Sequence, residues 1–380
     1  MKKFIILFLC VISIQANTVL PSKPWTVFVY LSGHNDLAQH LQFTGLNSLP
    51  AGANNNVNIV ASFNGLSDKQ VPTTQRYIIN AQNKLEQIGS AQQKTDAGSG
   101  SFLNSELNFA IKEAPSTNLA LFLAGDANGI ATNSSFIDTN SNHSLTDIDI
   151  QNMLKVAGKT VNILGLDTSY MASLEYLTAF ADYTTYIIAS QDNDPGDGFP
   201  YDKILSSLKN STDPKKFAIE IVNEFNKKYK SDMGQPNFTL SAVDSSKVKA
   251  VAQNIDSTST ILLGLLKTNK KDVQNLISKT ITSVTTFNNV YLDLSDFYTK
   301  LITNIGSNKI FDALKTNLTQ GLTLIKQAVI KNGTKTPGAS GISIHAPLQP
   351  GKFCCTSGYL GSYFNKTYPN WVKFLQAYLA

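Results

Sequence analysis

The residues best placed to do chemistry lie in VNILGLDTSYMASLEY, residues 161–176, where an apolar run ends at Asp167, Thr168 and Ser169. A buried strand that turns sharply into a helix presents the residue at the turn. A hydroxyl there can act as a nucleophile only if a base lies within hydrogen-bond reach. Cysteine would be more forgiving, because a modest fall in pKa already yields thiolate. The chain offers four histidines as that base: His34, His40, His143 and His345. His34 follows the first apolar run, in SGHNDL, whereas His143 lies in a polar loop and His345 follows a buried-looking strand. Without a base, Ser169 reads as an ordinary N-cap for the helix after it.

The elements that must position these residues are short apolar runs alternating with amphipathic stretches. Strands are expected at 25–31, 57–63, 119–124, 161–166, 185–190 and 238–243, with a minor one at 76–80. Helices are expected near 104–113, 147–156, 169–181 and 214–229. Strands that are apolar throughout, alternating with helices, indicate a largely parallel sheet covered on both faces. Residues 245–335 change to helical periods with no strong strand. GISIHAP at 341–347 then reads as a strand and YPNWVKFLQAYL as a closing helix. Sites on such sheets form beyond the carboxyl ends of the strands. That rule singles out residues 32–34, 124–126, 167–169 and 192–197.

Composition narrows the function classes. The chain has 380 residues, 42% hydrophobic and 16% charged, enough to bury a substantial core. Its net charge of +5 is spread out, with no basic run that would mark a nucleic-acid partner. MKKFIILFLCVISIQA has the basic start, short apolar run and small final residue of a signal peptide over 1–16. No later stretch is long and apolar enough to span a membrane, so the expected mature protein is secreted or periplasmic. Cysteine is confined to Cys10 and the adjacent Cys354 and Cys355, with no metal-ligand spacing. DTNSNHSLTDID faintly resembles a calcium loop, with Asp138, Asn140, Asn142 and Asp149 at ligand-like offsets. His143 stands where such a loop needs glycine. The alternative is a polar loop ending in Thr146 as N-cap, with Asp149 completing a capping box. No other cofactor is expected.

Taken together, WTVFVYLSGHNDL, LALFLAGDANGI, the stretch LDTSYMASLEYLTAFADYTTYIIASQDNDPGDGFPYD, GISIHAP and the YPNWVKFLQAY end resemble the clostripain-like cysteine peptidases, relatives of caspases and gingipains. PGDGFPYD after a strand ending IIAS is the most specific piece. The resemblance implies a caspase-like three-layer α/β/α sandwich, with a mostly parallel sheet and a helical insertion. The change of pattern along the chain divides it into a core at 22–245, a helical subdomain at 246–335 and a closing strand and helix at 336–380. The resemblance also implies a secreted or periplasmic endopeptidase that cuts after arginine or lysine. The family's histidine position is occupied here by Ala124, and its nucleophilic cysteine by Ser169.

What the resemblance leaves is the substrate side. Asp167 and Asp197 map to two acids around the pocket for a basic side chain, which they would attract through charge-assisted hydrogen bonds. Family members commonly mature by cutting themselves after a basic residue between the histidine and cysteine segments. No lysine or arginine lies between Lys112 and Lys155, so an unprocessed chain is expected. The favoured expectation is a pseudopeptidase that binds peptides containing lysine or arginine, or regulates an active paralogous peptidase by competing for its substrates. One alternative is a residual hydrolase using Ser169 with His34 as base, about 10 Å away across two strand spacings before any loop movement. The other is a structural or adhesive secreted protein.

Overall fold

A computed structural model describes residues 19–67, 70–232, 234, 237–347 and 355–380. The expected signal peptide at 1–16 and Cys354 lie outside the described residues. The strands are β1 Lys23–Ser32, β2 Val57–Leu66, β3 Pro72–Ile79, β4 Leu85–Gln93, β5 Ser116–Ala124, β6 Ala127–Gly129, β7 Ser134–Asp138, β8 His143–Leu145, β9 Val161–Asp167, β10 Thr184–Ala189, β11 Thr239–Asp244, β12 Thr286–Phe287, β13 Tyr291–Asp293, β14 Val329–Thr334 and β15 Ser343–His345.

Nine strands form one sheet in the order β14-β11-β10-β9-β5-β1-β2-β3-β4. The central five, β10 to β2, are parallel; an antiparallel pair closes each edge. Alternation along β1 shows how the two faces are filled. Phe28 and Tyr30 join one apolar cluster, while Trp25, Val27, Val29 and Leu31 join the other. Helices Gly100–Glu113, Asp147–Val156, Leu174–Phe180 and Ser245–Thr268 cover the first face. The helical segment 38–52 and helices Tyr201–Ser207 and Pro214–Lys230 cover the second. Among the described residues, no helix is long and apolar enough to cross a membrane.

Three local readings need correction. The helix after the corner starts at Leu174, not at 169, and its N-cap residue is Ser173. Ser169 therefore caps no helix: residues 170–172 first run alongside the next rim segment, through Tyr170 N–H to Asp192 O (3.2 Å) and Ala172 N–H to Ser190 O (2.8 Å). Within 245–335, β14 is a strand of the main sheet, paired with β11. It follows the helix Asp312–Ala328 with no break, so no turn residue announces it. Finally, the strand in GISIHAP does not enter the main sheet. β15 pairs with β13 in a separate three-stranded sheet.

The sheet edges and the late segments are tied in by buried polar contacts. Arg76, the only arginine in the chain, donates from β3 to both oxygens of buried Glu106 (2.9 and 2.5 Å). Its guanidinium lies 4.5 Å from the centre of the Phe109 ring. On the other side of the sheet's first face, Glu175 is fully buried beside the chain's last segments. Its Oε1 accepts from His345 N–H (3.0 Å) and from the Tyr359 hydroxyl (2.9 Å).

Burial pushes the Glu175 carboxyl up from an ordinary value of 4.5 to about 7. The folded-state value lies above the unfolded one, so this group's contribution is full below about pH 4.5 and is lost as pH rises through about 7. The loss is on the order of 3 kcal/mol. Denaturation curves between about pH 5 and pH 8 should therefore fall more steeply for wild type than for Glu175→Gln. Parallel pH profiles for the two proteins would contradict a buried, protonated Glu175.

Candidate functional site

The rim residues singled out by the strand-end rule do converge. In the register of the parallel strands Leu31 lies beside Ala124, and Ala124 beside Asp167. Beyond them is a pocket of about 130 Å³. Leu37, Leu41, Thr44 and Gly45 form one wall, and Gly125 and Asp126 belong to the rim of β5. Asp167, Thr168 and Ser169 come from the end of β9, and Asp194 to Gly198 from the loop after β10. The pocket carries four acids and no basic side chain in its lining.

Asp167 is held from the loop that covers it. Phe199 N–H reaches both of its oxygens at 3.1 Å, and the Tyr201 hydroxyl donates to Oδ2 at 2.7 Å. Burial nevertheless raises its pKa, against those hydrogen bonds. Asp197, the second acid expected around the pocket, also lines it, at its exposed mouth. It is 57% exposed, with Oδ1 3.5 Å from Nδ1 of the equally exposed His40. The buried partner of Asp167 is Asp194. Neither Asp194 oxygen accepts a hydrogen bond, both are shielded from solvent, and Asp167 is its polar neighbour. Burial, and then the charge of Asp167, pushes the Asp194 carboxyl well above the carboxylate range. Asp194 was hidden in the sequence because NDPGDG holds two acids in one turn, and only burial tells them apart.

Lys228, on helix Pro214–Lys230, grips this loop from behind. Its ammonium donates to the carbonyls of Asp197 and Gly198 (3.0 and 3.1 Å). Burial lowers its pKa, while the surrounding carboxylates oppose that shift.

Ser169 lines the pocket, and its Oγ accepts the N–H of Asp194 at 3.1 Å. No imidazole hydrogen-bonds to it among the described residues. His34 stands on the expected rim but faces the other way. It is completely buried, with Nδ1 2.7 Å from Asp138 Oδ2 and Nε2 3.4 Å from Thr73 O. Thr73 belongs to β3, on the side of β1 away from β9. The pairing of His34 with Ser169 is therefore not formed, because both imidazole nitrogens are engaged elsewhere. Ala124 is fully buried in the cluster beneath the pocket.

Of the residues read as a calcium loop, Asp138, Asn140 and Asp149 hydrogen-bond within their own chain. Asp138 Oδ1 accepts the N–H groups of Asn140 and Ser141, and its Oδ2 takes Ala97 N–H as well as His34. Asn140 donates its amide to His34 O, and Asn142 has a left-handed backbone (φ 60°). Asp149 completes the capping box with Thr146. Among the described residues no group of three His, Cys, Asp or Glu side chains is arranged to hold a metal. Cys355 is buried and disulfide-bonded.

The loop can close on Asp167 only because residue 198 is glycine. Its φ is +54°, and a Cβ there would lie 2.8 Å from Asp167 Oδ2. Gly198→Ala should cost about 1–3 kcal/mol through backbone strain and displacement of the carboxylate. Thermal denaturation checks this, and an unchanged melting temperature would mean the turn is not constrained.

With the geometry in place, comparison with known proteins is direct. The sequence model of the clostripain family, peptidase C11, matches residues 29–376. No curated protein matches the chain. Among solved structures the chain is similar to a secreted C11 cysteine protease from Bacteroides thetaiotaomicron in complex with an irreversible peptide inhibitor. That pair has 18% identity and a TM-score of 0.66, covering 94% of this chain and 99% of the other. It is also similar to an inactive zymogen C11 protease from Parabacteroides distasonis, again with 18% identity and a TM-score of 0.66, covering 92% and 99%. A further secreted C11 protease from Bacteroides thetaiotaomicron, iotapain, gives 17% identity and a TM-score of 0.67, covering 92% and 100%. Identities this low carry the fold, a caspase-like arrangement of helices about a large, mainly parallel sheet. The match to the family model runs over nearly the whole sequence, and the chain belongs to the clostripain family.

Proposed function

We propose that this protein is an exported pseudopeptidase of the clostripain family, which holds a lysine or arginine side chain of a peptide in the acidic pocket at Asp167, with Asp194 behind it, without cutting the chain. The observation that carries this reading is the environment of Ser169. Its oxygen accepts a backbone N–H from Asp194, and no imidazole is hydrogen-bonded to it. A serine hydroxyl with no base is a poor nucleophile. Ala124, where the family resemblance expects histidine, presents only a buried methyl group.

The pocket supports the binding half of the reading. It is lined by Ser169 and four aspartates and has a volume of about 130 Å³. Carboxylates facing a confined space favour a cation there by charge-assisted hydrogen bonding. Export is supported by the signal-like segment at 1–16 and by the secreted relatives of the same fold. Such a protein would withhold basic peptides from an active paralogous peptidase.

Purified mature protein and Ser169→Ala, assayed on lysyl and arginyl peptide amides, test the proposal. Neither should release product, and both should bind the peptides with similar affinity. Turnover by wild type that disappears in Ser169→Ala would overturn the reading and establish a serine hydrolase.

A further inference from the structure

The pairing of Asp194 with Asp167 has no place in an ordinary acidic pocket. Two carboxylates in contact repel when both are ionised, and burial removes the water that would screen them. Asp167 receives hydrogen bonds from Phe199 N–H and the Tyr201 hydroxyl. Asp194 receives none at either oxygen, although both are sealed from solvent. The group set against its carboxyl is another acceptor, the Asp167 carboxylate. Acceptor against acceptor is satisfied only by a proton between them, with Asp194 as the acid and Asp167 as the ion.

We propose that a cationic side chain entering the pocket drives off the proton that Asp194 and Asp167 share, so that the site holds its ligand more tightly as pH rises. This inference rests on the proposed binding of basic side chains. Asp194 acts behind Asp167 as a tuning residue. The chemistry is a simple exchange: the ligand's ammonium or guanidinium brings one positive charge, the O–H bond of Asp194 breaks, and its proton leaves to water. The charge of the pocket floor then falls from one negative to two, and the cation is attracted by both.

The surrounding charges set the direction. Lys228 faces the pair from helix Pro214–Lys230 and favours ionisation of both acids. It does not abolish the sharing, because burial dominates at both carboxyls. Tyr201 donates to Asp167 from the following helix and remains neutral, its pKa pushed up by burial and by Asp167. At the mouth stand Asp126, Asp197 and His40, all exposed. Of these His40 carries an imidazole, with Nδ1 3.5 Å from Asp197 Oδ1. It has to be separated experimentally.

The test is calorimetric titration of the mature protein with acetyl-Ala-Ala-Lys-amide and its norleucine counterpart. Titrations are run in buffers of different ionisation enthalpy from about pH 5 to pH 8. Wild type should release a fraction of a proton per lysine peptide that peaks within the range, between the pH at which the bound pair ionises and that at which the free pair does, and falls away at the acid end. Its affinity should climb about 10- to 100-fold across the range, the effect of one added charge nearby. Asp194→Asn keeps the shape and the hydrogen-bond donor of the protonated acid. It should match wild type at the acid end, release no proton and show a flat profile. His40→Asn should keep the release and the slope.

Failure to bind the lysine peptide better than the norleucine one would overturn the pocket reading, and this inference with it. Lysine-selective binding without proton release in wild type would overturn the inference alone. A release that survives Asp194→Asn and vanishes in His40→Asn would do the same, transferring the effect to the mouth of the pocket. The wild-type proton count needs no variant to fold.

Discussion

A carboxylate buried at the end of a central strand sets the terms for everything around it. Asp167 lies where β9 runs out, between the ends of β5 and β10, with almost no exposure to water. A buried charge must be given hydrogen bonds by the protein itself. The loop after β10 supplies them, by folding back so that Phe199 and Tyr201 reach the carboxylate. That fold-back needs a left-handed residue without a side chain at 198, and it is pinned from behind by Lys228. The pocket is the space left between this loop and the helical segment 38–52. Its acidity and its closeness to Ser169 follow from the same requirement.

Ser169 and His34 show how the same rim serves different ends. Both lie just past carboxyl ends of parallel strands, and both are held by hydrogen bonds to other segments. Ser169 is turned toward the pocket and bonded to the loop that bears Asp194. His34 is turned toward β3 and β7, where the imidazole joins Asp138 to the carbonyl of Thr73. The histidine thus organises the polar loops beyond β7 and β8. Asp138 in turn collects the N–H groups of Ala97, Asn140 and Ser141. The rim is divided into an acidic pocket on one side of β5 and a closed structural knot on the other.

How much of this is legible in the sequence depends on burial. β1, β5, β9 and β10 are apolar through most of their length, as buried parallel strands must be, and each is readable. β4, LEQIGSAQQ, is an edge strand with mostly exposed or half-exposed residues, so its composition carries no strand signal. β14 has the same edge position and lacks a break from its preceding helix. GISIHAP is correctly apolar, but the partner of a strand is a long-range fact that local pattern does not contain. At the site, the rim positions follow from strand ends alone. Which way His34 points, and which acid of NDPGDG is buried, depend on contacts with residues far along the chain, from Thr73 to Lys228.

The contacts of Glu175 have a consequence for how the molecule is assembled. The helix that follows the pocket corner is fastened to His345 and to Tyr359, 170 and 184 positions downstream. Ser173, its N-cap residue, bridges to Ser343 over a similar distance. Loop closure over such separations is entropically costly, and contacts of this kind form late. The corner is thus held in place by the chain's last segments as well as by its neighbours in the sheet. The helix behind the pocket corner therefore depends on residues that lie outside the pocket and near the end of the sequence, so a truncation there reaches the corner without touching the site.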